Sequence, residues 1–374
     1  MNKYKCLPIL LNSVFYEDIK KESGMTFENE YEWTVIGAGP AGIAAVGKLI
    51  DNHIDPKKIL WIDPEFKVGD FGKKWNKVPS NTKVSLFINF LNSCNSFEFL
   101  KSHELFDIQK ISADETCELD LMVKPLQWVT NILMSKVVSN FDSVSSLKIK
   151  NRYWLVEFSN QNPIISKNVV MAIGAEEKTL SIPELKTIPL EIALNKQKLK
   201  EYCHSDDIIS VFGSSHSAIL VIRNILENCP KTKIFNFYKS PLCYALNCGN
   251  ATLNDNTGLK GTTAQWAKEN LHGSLPENLN RFLANEDNLK NELYKCNHAV
   301  YAIGFQRRKI IIEGFSEFEY NSKTGIIAPG LFGFGIAFPE LKCDSFGNEE
   351  YRVGLWKFMN YINNVLPIWL RYSI

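Results

Sequence analysis

"EWTVIGAGPAGIAAVGKLI", residues 32 to 50, spells an apolar strand, a glycine turn and a helix without interruption. Trp33 to Ile36 read as a short buried strand, and Gly37, Gly39 and Gly42 fill the G-x-G-x-x-G positions around Pro40 and Ala41. Each glycine has its own physical task. The first allows the tight turn, the second lets backbone approach a pyrophosphate, and the third lets helix and strand pack closely. The helix N-terminus adds unpaired N–H groups and a positive dipole end. "KKILWID" then reads as the second strand of a βαβ unit, ending in Asp63, 21 residues after Gly42. A carboxylate there accepts hydrogen bonds from the ribose hydroxyls of a dinucleotide.

The same grammar recurs further along. "DIISVFG" is a buried strand opening on "VFGSSHSA", in which Gly213 keeps the turn, Ser215 replaces the middle glycine and Ala218 the third, with Ser214, His216 and Ser217 completing the loop. The helix "SAILVIRNIL" and the strand "KIFNFYK" follow. Counting 21 residues from Ala218 reaches Lys239. A carboxylate at this offset repels a 2'-phosphate and a cation attracts one, so the first loop suits FAD or NAD and the second NADPH. Arg307 and Arg308, after the strand "YAIGF", are further cations, and Arg307 is assigned to the same nucleotide. A serine in a strand-to-helix turn also raises a hydrolase nucleophile. Ser217 stands where G-x-S-x-G requires its last glycine, and that reading fails.

Between and beyond the loops, residues 84 to 146 carry helical spacing, and "LKIK", "YWLVEF" and "NVVMAIG" read as three strands with turns at Asn151 and "SNQNP". "HAVYAIG" is another buried strand. The aromatic C-terminal segment reads as a docked helix broken at Pro367. Residues 253 to 270 read as a polar loop opening a helix, with Thr262 or Thr263 as its cap or Lys260 as a phosphate ligand.

The composition is that of a globular chain: 374 residues, 45% apolar and 22% charged. A net charge of +1 without a basic stripe argues against nucleic acid as a partner. Nine cysteines, an odd number without framework spacing, point to reduced thiols in the cytoplasm. No apolar run is long enough to span a bilayer, and no His and Cys cluster has metal spacing.

With both loops in place, residues 31 to 374 resemble the two-dinucleotide-domain flavoproteins. "VGDFGKKWNKVPSNTKV" is similar to the corresponding segment of flavin-containing monooxygenases and of lysine and ornithine N-hydroxylases. The resemblance implies an α/β fold of two Rossmann-like three-layer domains, with an NADPH-binding domain inserted into an FAD-binding one. An extension over 1 to 30, FAD-binding segments over 31 to 203 and 306 to 374, and an NAD(P)H-binding segment over 204 to 305 are expected. It also implies that Trp75, Asn81 and Thr82 lie near the isoalloxazine. "NVVMAIGA" and "HAVYAIGF" look like the family's domain crossings, and "GLFGFGIAFPE", with Gly335, looks like its flavin-contacting turn.

Departures accompany the likeness. The F-x-G-x-x-x-H signature is absent, and Ile336 stands where the reductase branch carries an aspartate. The cysteine pairs of the disulfide reductases are missing from their usual places; Cys243 and Cys248 have C-x4-C spacing beyond the second loop. The implied activity is that of an FAD-dependent, NADPH-oxidising oxidoreductase, monooxygenase-like, on a small amine or sulfide. A reductase or oxidase without oxygen insertion and a non-catalytic nucleotide-binding protein are the alternatives. No acid or base is identified; Lys73, Lys74 and Trp75 are candidates by position, and the pocket is expected between 71 and 110 and near 330 to 345.

Overall fold

The computed structural model describes residues 30–249, 251–315 and 319–372. Apart from Glu30, the expected N-terminal extension lies outside them.

The opening stretch folds as its glycines and apolar residues require. Strand β1 (Glu30–Ile36) runs into helix α1 (Pro40–Asp51), and β2 (Ile59–Ile62) returns parallel to β1. Helix α1 is buried almost all round, which explains its small residues: a Cβ on Gly47 would stand 2.3 Å from the Phe97 ring. The sheet continues through β3 (Val138–Asn140), β4 (Val144–Lys150), β5 (Tyr153–Phe158) and β6 (Ile164–Met171). Residues 138 to 146, expected to be helical, are therefore largely strand. Val144 packs against the sheet core while Val138 and Phe141 are exposed, and the segment does not continue the helix over Asp120–Met134.

A second sheet forms around β7 (Ile208–Phe212), helix α2 (His216–Asn228), β8 (Lys233–Tyr238), β9 (Leu279–Leu283) and β10 (His298–Tyr301). Its order is Lys186–Thr187, β10, β7, β8, β9, all parallel. The chain then returns to the first sheet through β11 (Ile311–Ile312), β12 (Ile326–Ala328) and β13 (Leu331–Gly333), which makes nine strands. Each sheet has its own apolar cores. Residues 186–199, expected on the first unit, pair or pack with the second sheet, Leu190, Leu194 and Leu199 being buried against Val211 and Ile219.

The C-terminal helix α3 (Leu355–Trp369) lays Phe358, Met359, Ile362, Val365 and Trp369 against the core of the first sheet. Pro367 lies inside its last turn and does not break it. The docked packing holds that turn, with Trp369 stacked on Phe332 at 4.9 Å and its indole N–H donating to the Thr324 carbonyl at 2.6 Å. Among the described residues no helix is long and apolar enough to cross a membrane.

Candidate active site

The two glycine turns are built alike, bond for bond. Gly37 has φ +105° and Gly213 +121°. The Gly37 N–H donates to the Ile62 carbonyl at 2.7 Å, and the Gly213 N–H to Phe237 at 2.8 Å. Ala172 donates to Ile36, and Ala302 to Phe212, both at 2.9 Å. A Cβ on either glycine would lie 2.3 Å from the carbonyl oxygen of the matching alanine. The third positions differ in a way the sequences state: a Cβ on Gly42 would come within 1.8 Å of the Gly37 oxygen, whereas the second loop accommodates Ala218. Neither Gly39 nor Ser215 caps its helix with a side chain, so both N-termini keep N–H groups for an anion. These are two cradles with the shape a dinucleotide pyrophosphate requires.

The strand registers correct the offset count. Ile36 pairs with Ile62, and Phe212 with Phe237, so the residue standing where Asp63 stands is Tyr238. The span from the third loop position to the strand end is one residue shorter in the second unit, and Lys239 falls one place beyond, exposed. Asp63 itself is buried and organises its own turn. Its Oδ2 accepts from the Ala38 N–H at 2.8 Å, and Oδ1 from Glu65 and Phe66 at 2.9 and 2.7 Å. Three of about four carboxylate lone-pair positions are thus occupied, which leaves one for a ribose hydroxyl.

Both cradles open into one cavity of about 380 Å3. Gly37 to Ala41 reach it from the first loop, His216 and Ser217 from the second, and Trp75, Asn81 and Thr82 line it as well. Trp75 meets Phe305 edge-on, with ring centroids 5.7 Å apart. Gly335, at φ +84°, brings its turn so close to α1 that a Cβ there would lie 2.6 Å from the Ala41 side chain. Ile336 forms part of the wall. A smaller adjoining cleft continues past Asp63 to Lys67, Asp142 and Lys309. A group with a pyrophosphate between a ring system and an adenosine fits this succession of spaces, with Asp63 at the ribose.

Other expected residues lie elsewhere. Arg307 does not join the second loop: its guanidinium covers Phe338 at 4.2 Å, and its Nε donates to the Ala337 carbonyl at 3.1 Å, holding the Gly335 turn. Arg308 lines the cavity, where it pairs with Asp70 at 2.5 Å. Lys74 pairs with Glu191 at 3.2 Å; burial opposes its charge, but that partner and nearby carboxylates keep its pKa above the ordinary lysine value, so it is a poor base. Lys73 pairs with Glu65 in the adjoining cleft. Lys260 is committed to Asp255, which also accepts from Lys357 of α3 at 2.7 Å. Beside them Glu350 accepts from Thr257 at 2.6 Å, so the loop of the second unit is clamped to the C-terminal segment of the first. Lys260 is also the N-cap of the helix Gly261–Leu271, and neither threonine caps it. Cys243 and Cys248 are exposed, and no cysteine lines the cavity among the described residues.

Of the wall residues, Phe87 falls within the expected 71 to 110 stretch, whereas Leu119, Leu355 and Phe358 lie outside both expected stretches. Phe87, Leu119, Leu355 and Phe358 come from three distant helical segments and meet only after folding. His216 carries a signal of another kind. Burial pushes its pKa below the ordinary imidazole value, Lys260 adds to this, and the Pro79 carbonyl works against it; its Nδ1 is buried without a partner. The folded chain therefore holds it neutral. Between the lowered value and the ordinary one the unfolded chain binds more protons, so this contribution to stability is lost as pH falls through that window. Urea unfolding at about pH 7.5 and about pH 5.5 tests this. The wild type should lose more stability on acidification than His216→Asn, and equal losses would refute it.

No protein-family profile matches the chain. Monooxygenase AgnR1 of Paecilomyces divaricatus is 31% identical over 381 residues, covering 90% of this chain and 97% of that protein. Among solved structures, the ornithine N-hydroxylase of Kutzneria sp. 744 aligns with TM-score 0.64 at 11% identity, over 92% of this chain and 99% of the other. The L-lysine 6-monooxygenase of Pseudomonas syringae aligns at 0.63 and 12%, over 91% and 99%. The bacillithiol disulfide reductase of Staphylococcus aureus aligns at 0.62 and 12%, over 92% and 99%. The low identities of the three structures speak for the fold, and the sequence relative speaks for the family. Its 31% identity over 90% of the chain, with two dinucleotide cradles facing one cavity, makes the chain a member of the monooxygenase family to which AgnR1 belongs.

Proposed function

We propose that the chain oxygenates a small nucleophile, an amine or a sulfide, with FAD in the first cradle and NADPH in the second. The likeness of fold to ornithine and lysine hydroxylases favours the amine. The observation that carries the reading is the single cavity reached by both glycine loops, because hydride donor and acceptor must meet in one place. When bound, the flavin accepts a hydride from NADPH and turns O2 into an oxygen donor. For a primary amine the balance is R–NH2 + O2 + NADPH + H+ giving R–NHOH + NADP+ + H2O.

The chain's own part is positional. The N–H groups before α1 and α2 hold the two pyrophosphates, Asp63 the first ribose, and the Gly335 turn closes over the first loop. Trp75, Asn81 and Thr82 border the ring system, and Phe87, Leu119, Phe334 and Phe358 keep water from the reacting atoms. In this reading the FAD unit comprises the first sheet and α3. The NADPH unit is expected over 204 to 305, and its packing extends it back to the strand Lys186–Thr187.

The test is anaerobic mixing with NADPH followed by isotopically labelled O2 and a panel of amines and sulfides. Bleaching of the flavin, then one labelled oxygen in the product, is expected. Bleaching followed only by peroxide would make the protein an oxidase or reductase, and no bleaching would remove the enzymatic reading altogether.

A further inference from the structure

We propose that Arg281, on β9, is the residue by which the second cradle selects NADPH over NADH, in the place that the sequence offset assigns to Lys239. The inference rests on the reading that the second glycine loop holds the nicotinamide dinucleotide.

The register supplies the first reason. Tyr238 occupies the position of Asp63, so the second site has no carboxylate there to repel a 2'-phosphate. It has instead an aromatic ring with a cation over it, the Arg281 guanidinium carbon lying 4.8 Å from the ring centroid.

The second reason is how Arg281 is fixed. It stands opposite Asn236 in the β8 and β9 pairing, and its Nε donates to Asn236 Oδ1 at 2.9 Å. Asn236 Nδ2 donates in turn to the carbonyls of Gly213 at 2.8 Å and Val211 at 2.9 Å. The guanidinium is therefore tied through one side chain to the turn glycine of the cradle. Such a mount holds a fork of donors at a set distance from whatever the cradle binds.

The third reason is an unmet demand. Among the described residues Arg281 forms no ion pair, and its Nη2 is buried without an acceptor. Arg223, Arg308 and Arg352 each have a carboxylate within 2.8 Å. A buried donor left without an acceptor is costly, and a guanidinium answers a phosphate with parallel charge-assisted hydrogen bonds. Burial also pushes the pKa of Arg281 down, a strain that an added dianion relieves. The residue is half-buried and not sealed in the core, so a ligand reaches it without unfolding the strand. Lys239 is exposed and shows none of this preparation.

The experiment uses the flavin-loaded protein and calorimetric binding of two probes, 2',5'-ADP and 5'-ADP. The wild type should prefer 2',5'-ADP, and Arg281→Gln should cut that preference by about 10- to 100-fold while affinity for 5'-ADP stays near its wild-type value. Arg281→Lys, which keeps the charge and loses the fork, should fall between them, and it serves as the readout if the glutamine variant melts early. Lys239→Gln should retain the preference. Loss of the preference in Lys239→Gln, or its survival in both Arg281 variants, overturns the proposal. If the wild type binds neither probe, the nucleotide reading of the second loop fails, and this inference fails with it.

Discussion

Gly42→Ala protein should emerge from purification without flavin. A Cβ at this position would stand 1.8 Å from the Gly37 carbonyl oxygen and 2.8 Å from its carbon, and both are backbone atoms that cannot turn aside. The clash forces α1 away from the loop, and with it the N–H groups that would hold the pyrophosphate. Even one extra methylene in a packed interior commonly costs about 1–3 kcal/mol, and this contact is closer than side-chain relaxation can relieve. The second loop provides the control, because Ala218 already fills the matching place. Ala218→Gly should cost about 1 kcal/mol, the ordinary helix penalty, with flavin content unchanged. Visible absorbance per chain and thermal unfolding measure both effects. A yellow Gly42→Ala protein with wild-type flavin content would show that the first loop is not the flavin cradle.

Gly213→Ala should separate the two nucleotides in the opposite sense, keeping flavin and losing reduction by NADPH. The residue sits at φ +121°, where a side chain is strained, and its Cβ would lie 2.3 Å from the Ala302 carbonyl oxygen. Strain of this kind costs about 1–3 kcal/mol before the collision is counted. A loss of about 3 kcal/mol in nucleotide positioning corresponds to a roughly 100-fold slower reduction. The two loops rest on separate apolar cores, so the damage should stay in the second unit. Stopped-flow mixing with NADPH, set against chemical reduction by dithionite, tells the cases apart. Normal bleaching by dithionite with slow bleaching by NADPH is expected, and wild-type rates with NADPH would dismiss the second loop as the site of hydride delivery.

The parts of the site that were legible in the sequence share a feature: their reasons are local. A positive φ, a close backbone approach and an uncapped helix N-terminus are properties of a few consecutive residues. "VIGAGPAG" and "VFGSSHSA" therefore declared two cradles on one α/β fold before any contact was known. Gly335 was expected only through the likeness of its segment to a family turn, and its close approach to Ala41 is a tertiary contact.

What tertiary structure decided depends on register and on meetings between distant segments. A span from loop to strand end one residue shorter than its counterpart moved the Asp63 position from Lys239 to Tyr238, and no count along the chain reveals where a strand begins to pair. Arg307, a cation in the expected stretch, turned to Phe338 and the Ala337 carbonyl because the returning segment packs there. Arg281 acquired its place through strand pairing with Asn236, 45 residues earlier. The cavity wall likewise joins Phe87, Leu119 and Phe358 from helical segments whose apolar residues announce burial but not the neighbours they will have. Sequence by itself determined which backbones could hold a nucleotide; folding decided which side chains would face it, because side-chain direction follows from strand register and helix packing.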